Sequence, residues 1–370
     1  MTTKKNLHEK SFLLATFLIN TAGLLFAQTE KEYITNGLAA YNKEDRNEAL
    51  RIFTEMIGKF PKNKNGWNNR GYMYFLRGED AKAIADYTKA IEIDPEDISL
   101  YLNRSDAYTS SGNYNAALTD LSKVIELSPT SYWGWLGRGQ AYNGKNLFDK
   151  AIADLTKAIS LKETSPAYTE RGLSYSHLKK YDLALSDFNK AISIQPDFID
   201  PYIDKAQTIH LTTQGYDEPI RILTEGIKNA EANGGTKGYN YRADLYMAHN
   251  DYAEALDDYE KYFAVFAPTA NILNNAGICE YKLKKYNEAI KSFTYAIDKF
   301  PSFITSYANR ANVYAETGQA AKGMIDVESG LAIDPENEDV LIAKVYCLIA
   351  LNRKTEADAI YEKLKARHNK

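Results

Sequence analysis

Six arginines, Arg70, Arg104, Arg138, Arg171, Arg242 and Arg310, are each followed sixteen residues later by an aspartate: Asp86, Asp120, Asp154, Asp187, Asp258 and Asp326. A row of guanidinium groups suits an anion-binding track, because each presents a planar fork of donors to phosphate or carboxylate. The same arginines matched one-to-one with carboxylates suit internal bridges instead. Where the arginine is absent at the equivalent place, the aspartate is absent too: Asn36 goes with Ile52, Ala276 with Ser292, and Lys344 with Ile360, while Lys205 also has no aspartate. Pairing across neighbouring segments would leave some partners missing, whereas pairing within a segment accounts for all six. Removing one member of a partly buried pair costs about 3–5 kcal/mol, against about 0–1 kcal/mol for an exposed pair. The sequence therefore predicts six structural Arg–Asp bridges rather than an anion track.

Other reactive residues form no catalytic constellation. His177 and His210, near Glu170 and Asp204, are the one place where a metal site would be conceivable. The H-x-x-x-H and C-x-x-C spacings of stronger sites are absent, so the two read as polar surface. Cys279 and Cys347 fall at equivalent places two segments apart, too far for a bridge whose Cα atoms must lie within about 7 Å. They read as two sequestered thiols. Asn233-Gly234-Gly235 lacks the lysine of a phosphate-binding loop and reads as a turn. Acidic runs such as Glu336 to Asp339 read as solvated helix starts. No enzyme activity and no cofactor is expected.

The segments that position these residues repeat with a period of about 34 residues. Copies begin near residues 30, 64, 98, 132, 165, 199, 236, 270, 304 and 338 and run to Lys370. In the second copy Trp67, Arg70, Gly71, Tyr74, Gly78, Ala83, Tyr87, Ala90 and Pro95 occupy slots 4, 7, 8, 11, 15, 20, 24, 27 and 32. Small residues at slots 8 and 20, such as Gly139 with Ala151, predict two closely crossing helices. Large ones at slots 4 and 24, such as Trp135 and Leu155, predict the filling between them. Pro61, Pro95, Pro129, Pro196, Pro301 and Pro335 cannot continue the preceding helix and end each copy. The sixth copy, residues 199–235, carries about three extra residues, and its Pro219 is predicted to sit in the first turn of a second helix. A change of pitch without a domain break is expected there.

This W-L-G-Y-A-F-A-P pattern resembles the tetratricopeptide repeat family over nearly the whole chain. The resemblance implies an all-α fold, a right-handed superhelical solenoid of about ten stacked helix-turn-helix repeats. It also implies a concave groove lined by first helices, with slots 2, 5, 6, 9, 12 and 13 facing it. Carried over residue by residue, these give Asn68, Asn69 and Tyr72; Leu102, Asn103 and Asp106; Trp133, Leu136 and Gln140; Asn240 and Asp244; Asn274 and Asn275; and Asn309 and Asn312. Carboxamides both donate and accept, so a ladder of them would hold an extended peptide backbone; equally, asparagine is an ordinary solvated residue. Tyr72, Phe75 and Trp133 would supply apolar anchors. Relatives that bind chaperone C-termini use a basic and asparagine clamp, but slots 5, 6 and 9 of the first copy hold Ile34, Thr35 and Leu38, which argues against that role.

At the N-terminus, Lys4, Lys5 and Lys10 precede the apolar run from Phe12 to Phe26 and Ala27, the layout of a secretory signal peptide cleaved after Ala27. The run is short for a bilayer span, which needs about 20 residues. Loss of residues 1–27 removes three lysines and one glutamate, moving the net charge from −4 to −6. Mixed charges without a basic stripe exclude nucleic acid as the expected partner. The expectation is thus an exported, periplasmic or secreted scaffold that binds a protein or peptide. The alternative is a structural, oligomeric envelope component using convex or terminal surfaces; an enzymatic or glycan-binding role ranks below both.

Overall fold

The computed structural model describes residues 24–233 and 235–368. The expected targeting segment lies outside the described residues, except for the backbone of residues 24–27 in the first turn of α1. Twenty α-helices and no strand occur among the described residues. They run in pairs: α1 Leu24–Asn42 and α2 Arg46–Lys59; α3 Lys64–Leu76 and α4 Asp80–Ile93; α5 Ile98–Ser110 and α6 Tyr114–Leu127; α7 Tyr132–Gly144 and α8 Phe148–Leu161; α9 Ser165–His177 and α10 Tyr181–Ile194. Then come α11 Asp200–Thr213 and α12 Asp217–Asn229; α13 Lys237–His249 and α14 Tyr252–Phe263; α15 Ala270–Lys282 and α16 Tyr286–Lys299; α17 Ile304–Glu316 and α18 Ala320–Ile333; α19 Glu338–Ala350 and α20 Lys354–His368. Each pair is one hairpin and matches one sequence copy. No described helix is long and apolar enough to cross a membrane.

The hairpins fall into two compact units, one ending at Pro196 and the other spanning Asp197–Lys370. The division coincides with the entry to the sixth copy, where the sequence predicted a pitch change and no break. Within each unit successive hairpins stack into a solenoid. Pro219 lies in the first turn of α12, as its sequence position requires.

Local chemistry sets the helix ends. Asn63, Asp97, Ser131, Thr164, Thr269 and Asn337 each accept a hydrogen bond from a backbone N–H in the first turn of the helix that follows. Every hairpin turn passes through one residue with positive φ. Gly78, Gly112 and Gly318 take it without strain, whereas Glu44, Lys179 and Lys284 hold it with a side chain. In four hairpins a slot-4 aromatic bonds the proline before it: Trp67 Nε1 donates to the Pro61 carbonyl at 2.9 Å, Trp135 Nε1 to Pro129 at 2.8 Å, Tyr101 OH to Pro95 at 3.0 Å and Tyr307 OH to Pro301 at 3.2 Å.

Inside each hairpin, the slot-20 alanines Ala83, Ala151, Ala184 and Ala289 and the slot-24 side chains Leu155, Phe188, Tyr259 and Phe293 are almost wholly buried. The glycines at slot 8 make room mainly for slot 24, a refinement of the expected small-on-small crossing. A Cβ added at Gly139 would lie 2.5 Å from Leu155 Cγ, and one at Gly277 would lie 2.6 Å from the Phe293 ring. Gly139→Ala should therefore destabilise the first unit by about 1–3 kcal/mol, read as a lower thermal midpoint; an unchanged midpoint would show that Leu155 yields freely.

Candidate binding face on the first helices

The six predicted bridges form as drawn. In each, arginine Nε and a terminal nitrogen donate to the two aspartate oxygens at 2.6–3.0 Å, linking the first and second helices of one hairpin. The arginine side chains are 12–19% exposed and the aspartates 1–9%. A third partner was not anticipated. The other terminal nitrogen donates to a hydroxyl on the second helix of the preceding hairpin: Arg104 to Thr88 at 2.9 Å, Arg138 to Ser122 at 3.3 Å, Arg171 to Thr156 at 3.1 Å, and Arg242 to Thr224 and Arg310 to Thr294 at 2.8 Å. Slot-4 and slot-11 aromatics flank several of these guanidiniums, Trp135 standing 4.9 Å from Arg138 and Tyr168 and Tyr175 5.5 and 5.8 Å from Arg171. With its fork on aspartate, the arginine row binds the protein itself and is not laid out for an anion.

The bridges hold the first helices side by side, and the expected groove residues meet across neighbouring hairpins. In the first unit Asn103 donates to Asn68 Oδ1 at 2.8 Å. Asn69 and Asn103 are themselves buried. Tyr72, also buried, meets Tyr41 edge to face. Gln140 and Asn143 both reach Glu170 at 3.0 Å, and Trp133 packs edge-on against Tyr132. In the second unit Asn274 Oδ1 accepts from Asn309 at 2.9 Å and from Ser306 at 3.3 Å. Asp244 accepts from Tyr259 at 2.6 Å and from Asn275 at 3.4 Å. Asn240 Oδ1 and Asn312 Oδ1 are shielded from solvent with no hydrogen-bond partner. Two pairs of asparagines, Asn68 with Asn103 and Asn274 with Asn309, thus make rungs, bonds that depend on the offset between helices and so were not visible in any single copy.

Burial governs the ionisable groups on this face. Desolvation raises the Asp106 carboxyl to about 7, and it raises Asp244 despite the donors from Tyr259 and Asn275. Cys279 and Cys347 are free and buried, their thiols pushed up to about 12 and about 11 by desolvation. His177 stacks on Phe148 at 4.6 Å, while His210 bonds the Gly215 carbonyl and packs on Tyr216. Among the described residues no group of three or more His, Cys, Asp or Glu is placed to hold a metal. Because the Asp106 carboxyl is raised in the fold above its unfolded value, the folded chain binds the extra proton between about pH 4 and 7, and stability falls as pH rises through that window. Asp106→Asn should raise the thermal midpoint at pH 8 by a few degrees and leave it unchanged at pH 4; equal shifts at both pH values would mean that desolvation of the ionised carboxylate is not the cause.

Family models place the same architecture on the chain. Models described as tetratricopeptide repeat match residues 65–97, 134–165, 165–198 and 242–304, and one described as TPR repeat matches 105–146. Among curated proteins, an Hsp70-Hsp90 organizing protein of Triticum aestivum is 25% identical over 119 residues, 32% of this chain, and Hsp70-Hsp90 organizing protein 3 of Arabidopsis thaliana is 36% identical over 55 residues, 15% of it. The matched stretches span only 20% and 10% of those relatives' lengths. Among solved structures, the APC/C hetero-tetramer Cut9-Hcn1 superposes with a TM-score of 0.50 at 19% identity, covering 84% of this chain and 60% of that one, a likeness of fold alone. The chain is built from tetratricopeptide repeats and belongs with the proteins that carry them.

Proposed function

We propose that the chain is an exported scaffold that holds an extended segment of a protein partner on the first-helix faces of its units, within an envelope assembly or secretion complex. The observation that carries this reading is the orientation of the asparagine rungs. Because Asn68 Oδ1 is engaged by Asn103, the Asn68 carboxamide is held in place, and in this reading its amide is the donor to an incoming carbonyl. A donor fixed before the partner arrives loses less freedom on binding. Backbone carbonyls and N–H groups recur in any extended segment, so such rungs recognise main chain with little regard for side chains. Tyr72, on the helix of Asn68, and Trp133, on the first helix α7, would add apolar contacts. Export rests on the basic and apolar sequence before Ala27. Although the curated relatives are organizing proteins for Hsp70 and Hsp90, the first copy carries Ile34, Thr35 and Leu38 where a chaperone-tail clamp would need polar and basic groups.

A second reading has its own observation. On α19, Tyr346 is 55% and Ile349 47% exposed, and Tyr361 on α20 is 56% exposed. These would serve an oligomeric envelope component that associates through its terminal hairpin. Affinity capture from envelope extract separates the two. The full chain should retain a partner that is lost with Asn68→Ala/Asn103→Ala or Asn275→Ala/Asn309→Ala, each shown by circular dichroism to be helical. Capture that survives both double variants but fails with Tyr346→Ser/Ile349→Ser would favour the terminal surface and sink the first-helix reading.

A further inference from the structure

Successive hairpins meet by a fixed set of slots. Slot 28 of one packs on slot 3 of the next: a Cβ added at Gly66 would lie 3.1 Å from Ile57 Cγ1, and one at Gly134 3.1 Å from Ile125 Cγ1. Slot 24 shares a core cluster with slot 10 of the next hairpin, as Tyr259 does with Cys279, Phe293 with Val313 and Val327 with Cys347. Slot 12 meets slot 9, Tyr41 lying edge-on to Tyr72 at 5.8 Å. Slot 25 accepts from slot 7, as Thr294 does from Arg310 at 2.8 Å.

The last described hairpin, α19/α20, presents the outgoing half of this set to solvent. Its slot 24 is Tyr361, 56% exposed, whereas that slot is at most 2% exposed in eight other hairpins. Ile349 at slot 12 is exposed, as are Glu362 and Lys365 at slots 25 and 28. The first described hairpin, α1/α2, presents the incoming half. Glu32 and Asn36 at slots 3 and 7 are exposed, and Leu38 and Ala39 at slots 9 and 10 are partly so.

Two departures at these ends match in sign. Slot 3 is uncharged in the nine other copies, and slot 28 is isoleucine, leucine or phenylalanine in eight. Yet the open slot 3 is a glutamate and the open slot 28 a lysine. Polar residues at an open end serve the solubility of any solenoid. Opposite charges at the two slots that pack together everywhere else are more specific than solubility requires. The other three slot pairs also match: Tyr361 with Ala39 sets large on small, Ile349 with Leu38 is apolar, and Asn36 carries an amide donor for the Glu362 carboxylate. Within its own helix Lys365 meets only Glu362, at 3.9 Å, an exposed pair that costs little to exchange.

We propose that a second copy of this chain docks its first hairpin on the last hairpin of the copy before it, with Glu32 paired to Lys365 and Ala39 set against Tyr361. The two surfaces differ, so each added copy leaves another end free and association continues head to tail. This contact deepens the terminal-hairpin reading and rests on it, while the first-helix reading is independent of both. One hairpin face makes a small interface, and an ion pair at its edge makes it weak and salt-sensitive.

Sedimentation velocity of the full chain over a range of concentration and salt tests the proposal. At low salt the mean sedimentation coefficient of the native chain should rise with concentration. Glu32→Lys and Lys365→Glu should each weaken association by about tenfold or more, because each sets like charges face to face. An equimolar mixture of the two variants should recover it, since every junction then joins opposite charges. Both positions are exposed, so circular dichroism should show unchanged helix content. A native chain that stays monomeric at every soluble concentration overturns this contact together with self-association through the terminal hairpin. Association that is lost with Tyr346→Ser/Ile349→Ser but untouched by Glu32→Lys overturns the head-to-tail contact alone and leaves the terminal-hairpin reading standing. Association indifferent to both charge reversals, or not recovered in the mixture, also overturns it.

Discussion

A guanidinium forked onto a carboxylate between two helices is the constraint on which this array depends. Leucine at slot 7 would bury apolar area but would accept many helix offsets. An arginine whose Nε and terminal nitrogen must both meet one aspartate accepts few. The pair also makes partial burial two-sided: a buried ion pair can cost as much to desolvate as it returns, yet removal of one partner strands the other. The hydroxyl of the preceding hairpin extends the same constraint from within a hairpin to between hairpins. Stacking by Trp135, Tyr168 and Tyr175 fixes the ring side of the group. Registry, rather than a large gain in stability, is what such a polar core supplies.

The first-helix face inherits that registry. Asn103 reaches Asn68, and Asn309 reaches Asn274, because the helices that carry them are held at one offset by Arg70, Arg104 and Arg310. Asn68, Asn103 and Asn309 lie one or two positions from Arg70, Arg104 and Arg310 on α3, α5 and α17, while Asn274 lies on α15, which has no bridge. Positioning and recognition are thus divided between two sides of one helix, with slot 7 turned toward the second helices and slots 5, 6 and 9 turned away.

Much of this was legible in the sequence, because a repeat states its packing rules ten times. The hairpins, their proline ends and all six Arg–Asp pairs follow from slot occupancy, the pairs because arginine and aspartate are gained and lost together. The hydroxyl partner was equally legible and was missed. Thr54, Thr88, Ser122, Thr156, Thr224 and Thr294 precede the six arginine-bearing copies, whereas Asn189, Glu260 and Glu328 stand there before the copies without arginine. Thr54, Thr88, Thr224 and Thr294 also donate to carbonyls of their own helices, Thr54 to that of Leu50. Two features were not legible: the division at Pro196, which reflects contacts summed over whole hairpins, and the engagement of the asparagines with each other, which depends on distances between helices.

A double-mutant cycle on Arg138 and Asp154 tests the central claim most directly. Thermal and urea unfolding would be measured for the native chain, Arg138→Ala, Asp154→Ala and the pair together. The bridge predicts that each single substitution costs about 3 kcal/mol and that the double costs little more than either, a coupling of about 2–3 kcal/mol. Strictly additive losses would mean that the two side chains stabilise the hairpin independently, and the bridge would not be the constraint that sets the array.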